Sequence, residues 1–138
     1  MAEKTFSIIK PDAMAGGHAG EILSMIEAAG FRLLGLRMLR MRKEQAREFY
    51  AVHRGKHFYD SLVAFMTEGP VIVMALERED AIAELRRVMG ATNPAEAAEG
   101  TIRKRFGANI ERNAIHGSDG PETAAAELRF FFSTADLL

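Results

Sequence analysis

Between Asn113 and Asp119 the chain reads Asn-Ala-Ile-His-Gly-Ser-Asp, with one histidine set between a short apolar, strand-like piece and a Gly-Ser-Asp turn. A histidine at a strand end beside small residues is sterically open. Its neutral imidazole carries a free lone pair near pH 7 and can act as a nucleophile. Taken alone, the same residue also reads as a surface histidine on an ordinary turn. The turn leads into a helix-like run from Glu122 to about Phe131. The chain has no cysteine, which excludes disulfides, thiolate metal sites and cysteine catalysis.

The elements that must position this histidine alternate in type. Thr5 to Lys10 is strand-like and stops at Pro11-Asp12. Gly16-Gly17-His18-Ala19-Gly20 reads as a flexible loop. Glu21 to Ala29 reads as a helix with Ile22, Met25, Ile26 and Ala29 on one face and Gly30 closing it. Phe31 to Met41 is a long strand of imperfect alternation. Lys43 to His53 and Asp60 to Met66 are helical. Val71 to Leu76 is an unbroken apolar run, the pattern of a buried strand. Asp80 caps a helix whose apolar residues are Ile82, Leu85, Val88 and Met89. Gly90 to Arg105 is a long, mostly polar connection broken at Asn93-Pro94, and loops of that length are more often functional than idle. Ala114 to His116 is the last strand. Asp119 with Glu122 makes a capping-box-like start to the final helix, with Pro121 in its first turn. The order β-α-β-α-β-α-β-α implies an α/β (α+β) fold, a ferredoxin-like βαββαβ antiparallel four-stranded sheet with helices packed on one face.

Composition bounds the functional classes. The 138 residues suit a single domain spanning 1–138, and 48% hydrophobic with 27% charged residues is ordinary globular composition. A formal net charge of -1 does not point to nucleic acid or to an anionic membrane. No apolar run is long enough to span a bilayer, and Met1-Ala2-Glu3-Lys4 lacks a signal peptide's apolar region, so a cytoplasmic protein is the simplest expectation. An RNA-recognition module of this fold would need a Lys/Arg-Gly-aromatic motif on a central strand, and none is present. His53 and His57 stand four apart, but Gly55 between them breaks the helix that chelation would need. Gly16-Gly17 is not followed by the Gly-Lys-Ser/Thr of a phosphate-binding loop.

Several stretches together carry a more specific meaning. Phe6-Ser7-Ile8-Ile9-Lys10-Pro11-Asp12, Phe49-Tyr50-Ala51-Val52-His53, Gly90-Ala91-Thr92-Asn93-Pro94, Gly100-Thr101-Ile102-Arg103 and Asn113 to Asp119 occur in order and at compatible spacing. Along essentially its whole length the chain resembles the nucleoside diphosphate kinases. The resemblance implies transfer of the γ-phosphate of a nucleoside triphosphate to a nucleoside diphosphate, by ping-pong kinetics through a phosphohistidine.

Roles follow from the resemblance, each beside a plainer reading of the residue. His116 matches the nucleophile. Glu127 matches a residue that holds its ring; by itself it is a solvated helix glutamate. Ser118 matches a residue orienting Glu127 or the phosphate, and otherwise caps a turn. Lys10, Arg86 and Arg103 match the cations that phosphoryl transfer needs around its spreading negative charge, and singly each reads as surface charge. Thr92 matches a hydroxyl donor to phosphate or forms a turn. Asn113 matches a contact to the sugar hydroxyl, and Tyr50 a ring packed near the histidine. Phe58 matches a stacking face for the base, or is a core aromatic, and Ile110 packs on the base's other side. Stacking is sequence-tolerant, which implies broad base acceptance. Mg²⁺ is implied to arrive with the nucleotide, and Asp119, also the expected helix cap, is the candidate for a water-mediated contact. The family also implies a homo-oligomer built from dimers, a tetramer or a hexamer.

The chain departs from the family pattern in places. Lys56-His57-Phe58-Tyr59 stands where an Arg-Pro-Phe-Phe-like segment is frequent, Lys104-Arg105 replaces a small residue and an acid, and Gly120-Pro121 replaces serine and an aliphatic residue. If Lys104 and Arg105 lie near the phosphates they steer anionic nucleotides inward; the alternative is a loop or subunit contact. A regulatory sensor domain that binds nucleotide without chemistry is the rival function, and it would not need His116.

Overall fold

Four strands form one antiparallel sheet in the order β2-β3-β1-β4: β1 (Ala2–Ile9), β2 (Arg32–Leu39), β3 (Val71–Glu79) and β4 (Ile115–Gly117). The computed structural model describes residues 2–138. Between the strands run α1 (Pro11–Ala15), α2 (Ala19–Ala28), α3 (Lys43–Phe49), α4 (Tyr59–Met66), α5 (Ala81–Met89), α6 (Ile102–Phe106) and α7 (Pro121–Phe131). The strand order and the mixed α/β composition are those the sequence implies.

Helices on one face only is not what is found. β3 sends Val71, Val73 and Ala75 into a core cluster with Phe6, Ile8, Leu34, Ala46, Phe65 and Phe131. Its alternate residues Ile72, Met74 and Leu76 enter a second cluster with Ile22, Ile26, Leu85, Met89 and Ile102. Thus α2, α5 and α6 cover one face, and α3, α4 and α7 the other. The apolar run of β3 requires this, because such a strand has no polar face to leave in water.

Other boundaries shift for local reasons. β1 begins at Ala2, not Thr5, because its outer residues pair with the end of β3, Ala2 opposite Glu79. Pro11 opens α1, where its missing N–H is harmless, so the expected loop shrinks to a turn around Gly16-Gly17. The imperfect alternation of β2 is a register shift between Leu33 and Gly35. The Lys43–His53 helix stops at Phe49 and continues past Tyr50 as a 3₁₀ turn, Ala51–His53. The Gly90–Arg105 connection is not featureless. Asn93 caps a 3₁₀ turn at Pro94–Glu96 by accepting from the Ala95 N–H at 3.1 Å, and the Thr101 hydroxyl caps α6 by accepting from the Lys104 N–H at 3.3 Å.

Two expected caps are absent. Asp80 is left-handed, with φ 51°, and makes no capping bond; Glu3 of β1 instead accepts the Ile82 N–H at 2.9 Å. Gly120, not Asp119, occupies the cap position of α7, which leaves the Asp119 carboxylate out of any cap.

Candidate active site

The site grows from a strained turn. Ala114 has φ 75°, a left-handed value that is costly for a residue with a Cβ. The Ile115 N–H donates to the Asn113 carbonyl at 2.9 Å, closing a three-residue γ-turn. Neighbours over-determine it: the Asp12 carboxylate accepts the Ala114 N–H at 3.0 Å, and the Lys10 N–H donates to the Ala114 carbonyl at 2.9 Å. The last strand therefore begins at Ile115, one residue later than the sequence suggests. Gly117 lets it lie against α5, since a Cβ there would stand 2.5 Å from the Met89 sulfur.

Pairing then fixes the histidine. His116 stands opposite Ile8, two residues before Lys10, so its ring projects onto the α3–α4–α7 face. Phe49 and Phe6 hold the ring edge-on at centroid distances of 5.7 and 6.1 Å, and Tyr50 does so at 6.5 Å. Nε2 lies 2.8 Å from Glu127 Oε1, and the same oxygen accepts the Ser118 hydroxyl at 2.7 Å. A carboxylate can only accept, so Nε2 carries the proton and the lone pair resides on Nδ1. Ser118 sits behind Glu127 and does not line the cleft.

The cleft before His116 has a volume of about 520 Å³. Lys10, Arg86, Thr92, Arg103, Asn113 and Asp119 line one part of it, with His116 and Glu127. Three of these, Lys10, Arg103 and Asn113, are buried and held by hydrogen bonds. Lys10 Nζ donates to Asn113 Oδ1 at 2.8 Å, and Asn113 Nδ2 donates to the Thr92 carbonyl at 3.0 Å. Arg103 donates to the carbonyls of Gly90 at 3.1 Å and Ile115 at 2.8 Å. Burial, then the nearby Arg103 charge, lowers the Lys10 amine to about 8. Burial, then Arg86, lowers Arg103 to about 10. Two such cations side by side await an anion. Burial, then Glu127, pushes the Tyr50 phenol up, so it stays protonated as a donor.

The opposite part of the cleft is apolar and open: Phe58, Leu62, Val52 and Ile110 line it, with His53. His53 meets the Phe58 ring edge-on at 5.1 Å, and His57 and Lys56 lie 5.5 and 5.9 Å from that ring, so the departing Lys56-His57 pair braces the phenyl. Phe58 belongs to neither core cluster.

Some buried polar atoms have no hydrogen-bond partner within the protein. Among the described residues they include the Tyr50 hydroxyl, His53 Nδ1 and Arg103 Nε, all on residues that line the cleft. Burial, then the charge of Lys56, lowers the His53 imidazole. No group of three His, Cys, Asp or Glu side chains among the described residues could by itself hold a metal ion. The carboxylates on the cleft wall are Glu111, Asp119 and Glu127, of which Glu111 is bonded to Ser61 and Glu127 to His116 and Ser118.

Sequence reasoning did not single out Phe49, Val52, His53, Leu62, Glu111, Gly117 or Thr123 as cleft residues. The Phe49-Tyr50-Ala51-Val52-His53 stretch held the clue for two of them, because in a 3₁₀ turn residues three apart eclipse, which sets Val52 below Phe49. Lys104 and Arg105 lie off the cleft. Arg105 pairs with Glu21 of α2 at 2.7 Å and stacks on Phe106, which removes the expected steering and leaves a structural contact.

A cleft that gathers cations around a pinned histidine at one end, and an aromatic wall at the other, defines a nucleotide-handling phosphotransferase on a mixed α/β sheet. Residues 3–137 match the family model for nucleoside diphosphate kinase. The chain is 56% identical over 136 residues to a protein of Syntrophotalea carbinolica named nucleoside diphosphate kinase, covering 99% of each. It is 56% identical over 135 residues to one of Nitrosococcus oceani with the same name, covering 98% of this chain and 94% of the relative. Its fold superposes on the Aquifex aeolicus nucleoside diphosphate kinase with a TM-score of 0.98 at 44% identity, covering 100% of both chains. The Halobacterium salinarum enzyme in complex with CDP gives 0.96 at 39% identity, covering 100% of this chain and 92% of that one. The chain belongs to the nucleoside diphosphate kinase family. It is therefore an enzyme, a kinase of nucleotide metabolism in the transferase class.

Proposed function

We propose that the protein moves the γ-phosphate of a nucleoside triphosphate to a nucleoside diphosphate in two half-reactions through His116. One observation carries the reading: Glu127 accepts a hydrogen bond from Nε2–H, so the lone pair is on Nδ1 of a ring facing a cleft lined with Lys10, Arg86 and Arg103. In the first half-reaction Nδ1 attacks the γ-phosphorus. The N–P bond forms, the bond to the β,γ-bridging oxygen breaks, and the nucleoside diphosphate leaves with that electron pair. Positive charge develops on the imidazole, and Glu127, held by Ser118, stabilises it. In the second, a terminal β-phosphate oxygen of another diphosphate attacks the same phosphorus and the lone pair returns to Nδ1.

Lys10, Arg86 and Arg103 offset the charge of the transferring oxygens, Thr92 donates its hydroxyl to the phosphate chain, and Tyr50 packs beside His116, where its hydroxyl serves the ring region. Asn113 orients Lys10 and meets the sugar hydroxyl. Phe58 stacks on the base and Ile110 covers its other face, which admits all common bases. Asp119 would hold, through water, a Mg²⁺ arriving with the nucleotide, which would supply charge neutralisation of the phosphates. A sensor without chemistry would need the cations but not the Ser118–Glu127–His116 chain.

Incubation with γ-labelled ATP and an alkaline quench should leave acid-labile, base-stable label on the chain, and His116→Ala should abolish label and turnover while ADP still binds. Substantial exchange activity in that variant would sink the covalent route. GDP, CDP, UDP and dTDP should all accept phosphate, with efficiencies within about two orders of magnitude, because stacking discriminates weakly.

Assembly as a homo-oligomer built from dimers is part of the same reading. β2 is a sheet edge with Leu36 and Met38 exposed, a surface that a second copy would cover. Sedimentation should show a tetramer or hexamer.

A further inference from the structure

We infer that Ser61 and Glu68 are positioning residues that fix the width of the base end of the cleft, by fastening the loop that carries Ile110 to the helix that begins at Phe58. The inference rests on the proposed base site. Phe58, Ser61, Phe65 and Glu68 recur at steps of three, four and three, which places them in one stripe along α4 and its ends.

The loop over 107–112 lies along that stripe. The Ser61 hydroxyl donates to Glu111 Oε2 at 2.7 Å. Arg112 donates through both terminal nitrogens to the two oxygens of Glu68, at 2.7 and 3.2 Å, and its guanidinium lies 4.7 Å from the Phe65 ring centroid. Bidentate geometry over an aromatic face is more directional than an ordinary surface ion pair.

Ahead of these fastenings the loop has its own stiffness. Asn109 Oδ1 accepts the N–H groups of Glu111 at 3.0 Å and Arg112 at 2.8 Å, and the Ala108 N–H donates to the Arg112 carbonyl at 2.7 Å. Ile110 rides at the outer end of this turn, 63% exposed. It belongs to neither core cluster, and neither does Phe58. The two base walls are thus not spaced by core packing. Their spacing is carried by Ser61–Glu111 and Glu68–Arg112, one at each end of the stripe.

The test is Ser61→Ala/Glu68→Gln in the full chain, with thermal unfolding as a control on folding. KM for ADP and ATP should rise roughly threefold to tenfold, the scale of two partly exposed polar pairs, with kcat held within about twofold. Ribose 5-triphosphate, which has the phosphates and no base, should phosphorylate both proteins with equal KM. If the double variant does not fold, Ser61→Ala alone removes one exposed oxygen and should raise the nucleotide KM about twofold. Unchanged nucleotide KM, or an equal rise for ribose 5-triphosphate, overturns the inference. Failure of the base-site reading is distinguishable, since the unaltered protein would then take ATP and ribose 5-triphosphate with equal KM.

Discussion

The two ends of the cleft are built by different rules. At the phosphate end Lys10, Arg103 and Asn113 are 7%, 6% and 2% exposed, and each is tied by hydrogen bonds to backbone or to one another. At the base end Ile110 and Val52 are 63% and 78% exposed and stand free of the core. Phosphoryl transfer needs donors fixed before charge develops, because reorganisation during reaction costs rate. A base that is only stacked needs a flat surface at a suitable spacing. Rigidity is therefore concentrated where the bond is made, and it is provided by the same carbonyls that shape β4 and the turn after α5.

The largest expected effect separates two arginines within the phosphate end. Arg86 is exposed on the last turn of α5, whereas buried Arg103 also donates to the Gly90 and Ile115 carbonyls. Replacing either with alanine should cut kcat/KM by roughly 10²–10³, the scale for losing a donor to developing charge. Only Arg103→Ala should also lose stability, about 2–4 kcal/mol, because two carbonyls lose their donor. Urea unfolding beside steady-state kinetics decides. Equal stability of the two variants would mean that Arg103 is not a structural tie, and an effect below about threefold at either position would remove that residue from the site.

That contrast also shows what the sequence could reveal. The sheet order was legible because β3 is an unbroken apolar run and the motifs punctuate the other strands. The His116 stretch stood out because a nucleophile between strand and turn is chemically distinctive. The γ-turn at Ala114 was not legible, since alanine gives no hint of a left-handed φ and the conformation is imposed by Asp12 and Lys10, about a hundred residues away along the chain. Nor was the buried duty of Arg103, whose partners are carbonyls that every residue carries. Asp80 misled because its type suits a cap, while Glu3 from β1 reached the open N–H instead. Non-local contacts decided each of these places, and local propensity could not see them.

A smaller effect lies in the pH dependence of Lys10. Its amine is lowered from 10.5 to about 8, by burial first and Arg103 second. Between these values the unfolded chain binds more proton than the folded one, so this group makes stability rise with pH from about 8 toward 10.5. Bound polyphosphate reverses the local charge and raises the amine again. Binding then takes up a proton above pH 8, and affinity falls as pH rises, by at most about tenfold per pH unit for one proton. Titration calorimetry with ADP at pH 8.5, in two buffers of different ionisation enthalpy, should show this uptake. Heats that do not depend on the buffer would place Lys10 away from the phosphates. At the base end burial and Lys56 lower the His53 imidazole, so it is already neutral at pH 8.5 and Phe58→Leu should leave the proton uptake unchanged.

The smallest effect belongs to Ile110. Truncation to alanine removes apolar contact with one face of the base and nothing from either core cluster. A loss of about 1 kcal/mol of contact corresponds to a rise in nucleotide KM of roughly fivefold. Stability should stay within about 0.5 kcal/mol, as for a surface change away from packed groups. Leu62→Ala makes the informative partner, because Leu62 lines the same cleft yet also packs against the core. It should raise KM and destabilise the fold together, the cost of a partly filled cavity being added. If Ile110→Ala lowered kcat as much as it raised KM, the loop would be helping to place the phosphates. The two ends of the cleft would then be mechanically coupled, through the Glu111 carbonyl that Lys10 Nζ approaches at 3.5 Å.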